Sequence, residues 1–239
     1  MPLQARYRRH ARVTVTKACR LRADSASAPR GVAPPRRGRR FRAGTRALYA
    51  LRVGILDPEL HLTRDELEAG LDEIRGAPEG VGTVELIVRR PAEGEREVLD
   101  EAELDLADGL VGDDWRARGS RNGTQPPNPK AQVTLMNVRV TALVARARDR
   151  WPLAGDQLYV DLDLSEESLP PGTRLGLGSA VLEVSDEPHT GCKKFTARFG
   201  SDAMRFVNSP VGRALRLRGM NAFVVEPGTV RQGDSIRRL

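Results

Sequence analysis

Pro170-Pro171-Gly172-Thr173-Arg174-Leu175-Gly176-Leu177-Gly178-Ser179-Ala180-Val181-Leu182-Glu183-Val184 is the stretch from which the fold is read. Pro170-Pro171-Gly172 and Gly176 to Gly178 are turn formers, and Ala180 to Val184 is an apolar, β-prone run. The same texture continues to the C terminus. Asn221 to Val225 and Ser235 to Arg237 are further β-prone runs, punctuated by Pro227-Gly228 and Gly233-Asp234. Closely spaced short strands joined by Gly and Pro turns predict a mainly β domain, a barrel or a sandwich. Gly176-Leu177-Gly178 is not a dinucleotide fingerprint, because Val181 stands where the third glycine belongs and no βαβ unit follows.

Upstream, Thr83 to Arg90 alternates, with Val84, Leu86 and Val88 expected on one side, and Pro91 to Gly94 turns the chain. Gln132 to Met136 reads as a second strand, after which Asn137 can cap a helix carrying Val140, Leu143 and Val144. Leu158 to Leu164 also alternates. It places Tyr159, Asp161 and Asp163 on one side, which reads as a solvated face in preference to a metal or acid/base pair. Between Leu62 and Gly76 a single amphipathic helix is expected, with Thr63 and Glu66 as a capping box and Leu67, Leu71 and Ile74 on its packed face. The domain organisation is therefore a tail over 1–46, an extension with one helix over 47–80, and a β domain over 81–239.

Charged residues make up 30% of the 239-residue chain, and no aliphatic stretch approaches the length that crosses a bilayer. Arg6, Arg8, Arg9 and Arg12 interrupt any secretory core. The net charge of +7 is uneven: residues 1–46 hold thirteen Arg and one Lys against Asp24, a net of +13, which leaves −6 for the rest. A nucleic-acid-binding domain carries its basic face on folded structure. Here basicity belongs to a tail, including Arg36-Arg37-Gly38-Arg39-Arg40, that has little to bury and is expected to be disordered. An arm that binds polyanions, a targeting peptide and an upstream start all remain readings of it. Arg outnumbers Lys by 35 to 4, which suggests coding bias and favours an incidental origin. Two cysteines, Cys19 and Cys192, define no disulfide framework, so a reducing cytoplasm is the expected compartment.

Phosphate loops, the His-Glu-x-x-His zinc motif and the Gly-x-Ser-x-Gly elbow are absent from the sequence. What remains is Pro188-His189-Thr190-Gly191-Cys192-Lys193-Lys194-Phe195. His189 and Cys192 are the candidate chemical centre. A cysteine between a strand and a helical turn, next to Lys193 and Lys194, can have its thiolate favoured. A buried, inert cysteine is the competing reading. Phe195 and Phe199 are expected to share a helical face.

Gly109-Leu110-Val111-Gly112-Asp113, Gln132 to Asn137, Leu169 to Leu175, Cys192 with Phe195, and Arg218 to Ala222 leading into Pro227 to Val230 and Gly233-Asp234 together resemble the MOSC domain, named from the C-terminal domain of molybdenum cofactor sulfurases. The resemblance runs from about Gly82 to the C terminus. It implies a MOSC-like β-barrel with a few peripheral helices, and it puts Cys192 at the position that ligates the metal of molybdopterin in related enzymes or carries sulfur. The implied cofactor is the molybdenum cofactor, the implied activity a molybdenum-dependent reductase or a sulfur transferase. The family also has an association with pyridoxal phosphate. His189 would orient or protonate the bound group, and Arg121, Thr190, Lys193 and Asn221 are candidate cofactor contacts. Arg213, Arg216 and Arg218 read as an exposed helix face. Asp156-Gln157 departs from the family, where many relatives have Arg-Asn. The implied partners are a small-molecule cofactor, a sulfur donor protein or a redox partner, with no specific nucleic acid and no membrane. The alternatives are a noncatalytic module with His189 and Cys192 as half of a zinc site, and a Cys-His hydrolase.

Overall fold

The computed structural model describes residues 58–119 and 125–239. The tail over 1–46 with His10 and Cys19, and the loop carrying Arg121, lie outside the described residues. The ordered strands are β1 (Val81–Arg89), β2 (Glu97–Leu99), β3 (Glu101–Asp105), β4 (Gly109–Leu110), β5 (Val133–Asn137), β6 (Leu158–Asp161), β7 (Arg174–Leu177), β8 (Ala180–Val184), β9 (Met220–Glu226), β10 (Gly228–Arg231) and β11 (Ser235–Arg238). Seven of them, in the order β11-β7-β8-β9-β5-β6-β1, close into a barrel because β1 also pairs with β11. Closure removes the edges that an open sheet would expose. β2 adds to β1 outside the ring, and β10, β3 and β4 form a small second sheet.

All pairings are antiparallel except β5 with β6. A parallel neighbour needs a crossover, and helix α4 (Val138–Ala145) with the 3-10 turn Arg148–Ala154 supplies it. Asn137 starts α4 as expected: its side chain accepts hydrogen bonds from the Arg139 and Val140 N–H groups. The remaining helices are α1 (Arg64–Glu68), α2 (Leu71–Arg75), α3 (Trp115–Arg118), α5 (Lys193–Val207) and α6 (Pro210–Ala214). No helix among the described residues is long and apolar enough to cross a membrane.

Two apolar clusters divide the interior. One, with Ile87, Leu135, Leu158, Val160, Leu182 and Ile236 of the barrel strands, also takes in Ala102, Leu104, Leu110 and Val230 of the small sheet. The other, with Leu67, Val144, Met136, Tyr159, Phe195 and Phe199, lies between strands and helices. Three local readings change as a result. The single helix over 62–76 is two short helices. Its capping box is present, but Gly70 starts a second turn, where a Cβ would stand 2.6 Å from the Leu143 side chain of α4. Val84, Leu86 and Val88 do not share a side: the register slips between Val84 and Leu86, so Val84 and Ile87 join the barrel cluster while Leu86 and Val88 join the helix cluster. Tyr159 does not face solvent either. It is fully buried, because the helices cover that face of β6. Asp161 pairs with Arg139 at 2.8 Å, and Asp163 accepts from the Ser165 and Ser168 hydroxyls.

Candidate functional site

The site is assembled where the chain enters β6 and where the loop after β8 meets α5. Gly219, at φ +92, brings the Arg218 backbone against β5 so closely that a Cβ there would lie 2.2 Å from the Leu135 carbonyl oxygen. Arg218 therefore turns inward. Its Nη1 donates to Asp156 Oδ2 at 2.8 Å, its Nη2 donates to the Ala154 carbonyl at 3.1 Å, and its guanidinium lies 5.1 Å from the centre of the Phe195 ring. Phe195 and Phe199 stack as a tilted pair at 4.9 Å, as their spacing predicts. The exposed helix face expected for Arg218 is thus corrected: its side chain is buried against a fully buried carboxylate. Arg216 is only partly exposed and donates to the Leu169 carbonyl, whereas Arg213 is exposed.

Arg90 completes the buried frame. Its Nε and Nη2 hold the two oxygens of Asp113 at 2.8 Å each, and its Nη1 donates to the Gly155 carbonyl at 2.8 Å. Gln157 is a structural pin. Its amide oxygen accepts from the Thr134 N–H and hydroxyl, and its amide nitrogen donates to the Gln132 carbonyl. The departure at Asp156-Gln157 is therefore the middle of a buried polar network. Burial pushes the Asp156 carboxyl up from its ordinary range, against the pull of Arg218 and Arg90. Burial also pushes the Tyr159 hydroxyl up, with Asp156 adding to the effect.

His189 sits above this network with 15% of its side chain exposed, and its Nδ1 is 3.5 Å from Asp156 Oδ1. Burial, followed by the Arg218 and Arg90 charges, holds the imidazole well below its ordinary pKa, so it is neutral at pH 7. His189 and Thr190 line a groove of 610 Å³ between the loop after β8 and α6. Asn221 is buried on β9 and donates to the Glu187 carbonyl, which fastens that loop. Asn208 fastens the next residues: its side-chain oxygen accepts from the Gly191 N–H at 3.0 Å. Neither tether follows from a local sequence signal, since each joins residues at least 17 positions apart.

Cys192 is the N-cap of α5 and its free thiol is exposed. The expectation of a buried cysteine is thereby corrected. Regular helical geometry behind it is short, because Gly200 takes φ +91 and kinks α5 after Phe199. Arg198 is in electrostatic reach of Cys192 and donates to the Leu153 carbonyl at 2.6 Å. Arg96 lies beside Arg198 and Arg90, and its buried Nε has no hydrogen-bond partner. Burial and the neighbouring guanidiniums push both Arg96 and Arg198 below the ordinary arginine range. Crowded like charges with an unused donor are what an anion would relieve. Lys194 is drawn away to Glu93 at 2.6 Å, while Lys193 and Thr190 are exposed. No hydrogen bond joins His189 to Cys192, and no cluster of three metal-ligating side chains exists among the described residues.

The MOSC domain model matches residues 142–237. Over that span the chain is similar to MOSC domains. The matched span begins within α4 and includes Asp156, His189, Cys192 and Arg218, whereas the barrel also uses β1 and β5, which precede it. Similar solved structures include the YuaD protein from Bacillus subtilis, at 19% identity and a TM-score of 0.49, covering 66% of this chain and 96% of that one. YiiM from Escherichia coli matches at 20% identity and a TM-score of 0.44, over 66% and 69% of the two chains. YiiM from Geobacillus stearothermophilus matches at 12% identity and 0.43, over 67% and 73%. No curated protein matches the sequence.

Proposed function

We propose that this chain is a MOSC-domain protein that holds a molybdenum cofactor, or a sulfur atom in transit, on Cys192. The observation that carries the reading is an exposed thiol with Arg198 in electrostatic reach and Arg96 behind it with an unpartnered buried Nε. A thiolate or persulfide and the phosphate of molybdopterin are all anionic, and this corner of the fold has cationic charge to spare. The residues present fit such a group. Cys192 would supply the soft ligand atom, Arg198 and Arg96 would neutralise the anion, and His189, neutral and part of the groove lining, would exchange a hydrogen bond with the bound group. A bound molybdenum centre supplies two-electron redox chemistry. A sulfur donor protein or a redox partner would serve it in the cytoplasm.

Metal and pterin analysis of the full chain purified from its natural host tests the reading, with Cys192→Ser alongside. Molybdenum and pterin in near-equal amounts, lost in the serine variant, support the cofactor. A sulfur atom added to Cys192 after incubation with a persulfide donor supports sulfur transfer. Protein with neither, or with zinc at Cys192, overturns both.

A further inference from the structure

Two buried polar atoms face each other without a partner: Asp156 Oδ1 and His189 Nδ1, 3.5 Å apart. The other Asp156 oxygen is taken by Arg218, which is itself anchored on the Ala154 carbonyl. The Thr134 hydroxyl lies close to Asp156 but directs its proton to Gln157 at 2.6 Å, so it does not serve Oδ1. The carboxylate is therefore oriented from behind, with one oxygen presented to the histidine. We propose that Asp156 is a positioning residue that holds His189 with its proton on Nδ1, leaving Nε2 as a bare acceptor toward the groove that contains Glu187, Arg213 and Met220.

The argument is one of satisfiability. A neutral imidazole carries one N–H. Placed on Nε2, that proton leaves a nitrogen lone pair pointing at a carboxylate oxygen in a buried setting, with both acceptors unsatisfied. Placed on Nδ1, it satisfies both atoms after a movement of a few tenths of an ångström. Arg218 and Arg90 are the charged groups behind the ring, and they disfavour a second proton on it. The groove thus meets its ligand with an acceptor on His189, and it selects a group that presents O–H, N–H or S–H at that point. That last step rests on the reading of the site given above; the tautomer does not.

Asp156→Asn makes the test sharp. Arg218 still demands an acceptor, so the amide oxygen turns to Arg218 and the amide NH₂ faces His189. Nδ1 must then accept, and the proton moves to Nε2. Long-range ¹H–¹⁵N correlation spectra of the full chain at pH 7, assigned with His189→Gln, read the tautomer directly. The expected result is the Nδ1–H form of His189 in excess by about tenfold or more in the wild type, and inversion in Asp156→Asn. An Nε2–H or imidazolium wild type, or an unchanged tautomer in Asp156→Asn, overturns the proposal. If that variant does not fold, the wild-type spectrum alone decides. The measurement needs no cofactor, so absence of molybdenum and persulfide would remove the proposed function and leave this inference standing.

Discussion

Arg218→Met removes the charge opposite Asp156 while keeping an unbranched chain against Phe195. Asp156 is fully exposed to the consequence, because its side chain has no contact with water and its 2.8 Å bond to Arg218 is lost. Stranding a buried carboxylate costs about 3–5 kcal/mol. Loss of the guanidinium over Phe195 adds roughly 1 kcal/mol, which a sulfur–aromatic contact from methionine offsets in part. Such a loss is a large fraction of the roughly 5–15 kcal/mol that holds a domain together. Urea titration at pH 7.5 and pH 5 measures it. The folded Asp156 carboxyl is already pushed up, so the native state binds its proton more tightly than the unfolded state does, and this part of the stability grows as pH falls. Without Arg218 the upward push is larger, so the deficit of the variant is expected to be smaller at pH 5. Asp156→Asn combined with Arg218→Met should recover more than half of it, because no buried charge is then left alone. A single variant that loses less than about 1 kcal/mol at pH 7.5, or loses more at pH 5, would refute the buried-pair reasoning.

Cys192→Ser should change stability by no more than about 1 kcal/mol, since the thiol is exposed, while native Cys192 should alkylate at the rate of an accessible thiol; labelling only after unfolding would contradict the site. His189→Gln should flatten the acid limb of the stability curve. The folded histidine resists protonation, so its contribution is present above about pH 6.5 and is lost as pH falls below the unfolded value; melting curves of both proteins between pH 7 and 5 check this. Gly219→Ala should cost more than about 3 kcal/mol or prevent folding, because φ is +92 and the new Cβ meets a backbone oxygen, whereas Gly233→Ala at φ +88, with open space around it, should cost only about 1–2 kcal/mol. Equal losses at the two glycines would show that the close approach at Gly219 is not what matters.

Much of the fold was legible because its determinants are local. Thr63 with Glu66, Asn137 ahead of α4, the glycine and proline turns, and the runs that became β8, β9 and β11 each depend on residues a few positions apart. So does the His189–Cys192 spacing, together with the resemblance that set Cys192 apart. Sequence periodicity could not reveal the bulge near Glu85, because an extra residue in one strand is defined only by the partner strand it faces. Nor could it tell a solvated face from one under helices, and so Tyr159 was placed in water. The same limit hid Asp156 and Arg218, 62 positions apart and each unremarkable in its own segment. Local sequence states which groups are polar, but only the tertiary structure decides which are removed from water together, and desolvation is what turns an ordinary aspartate, arginine and histidine into a coupled site.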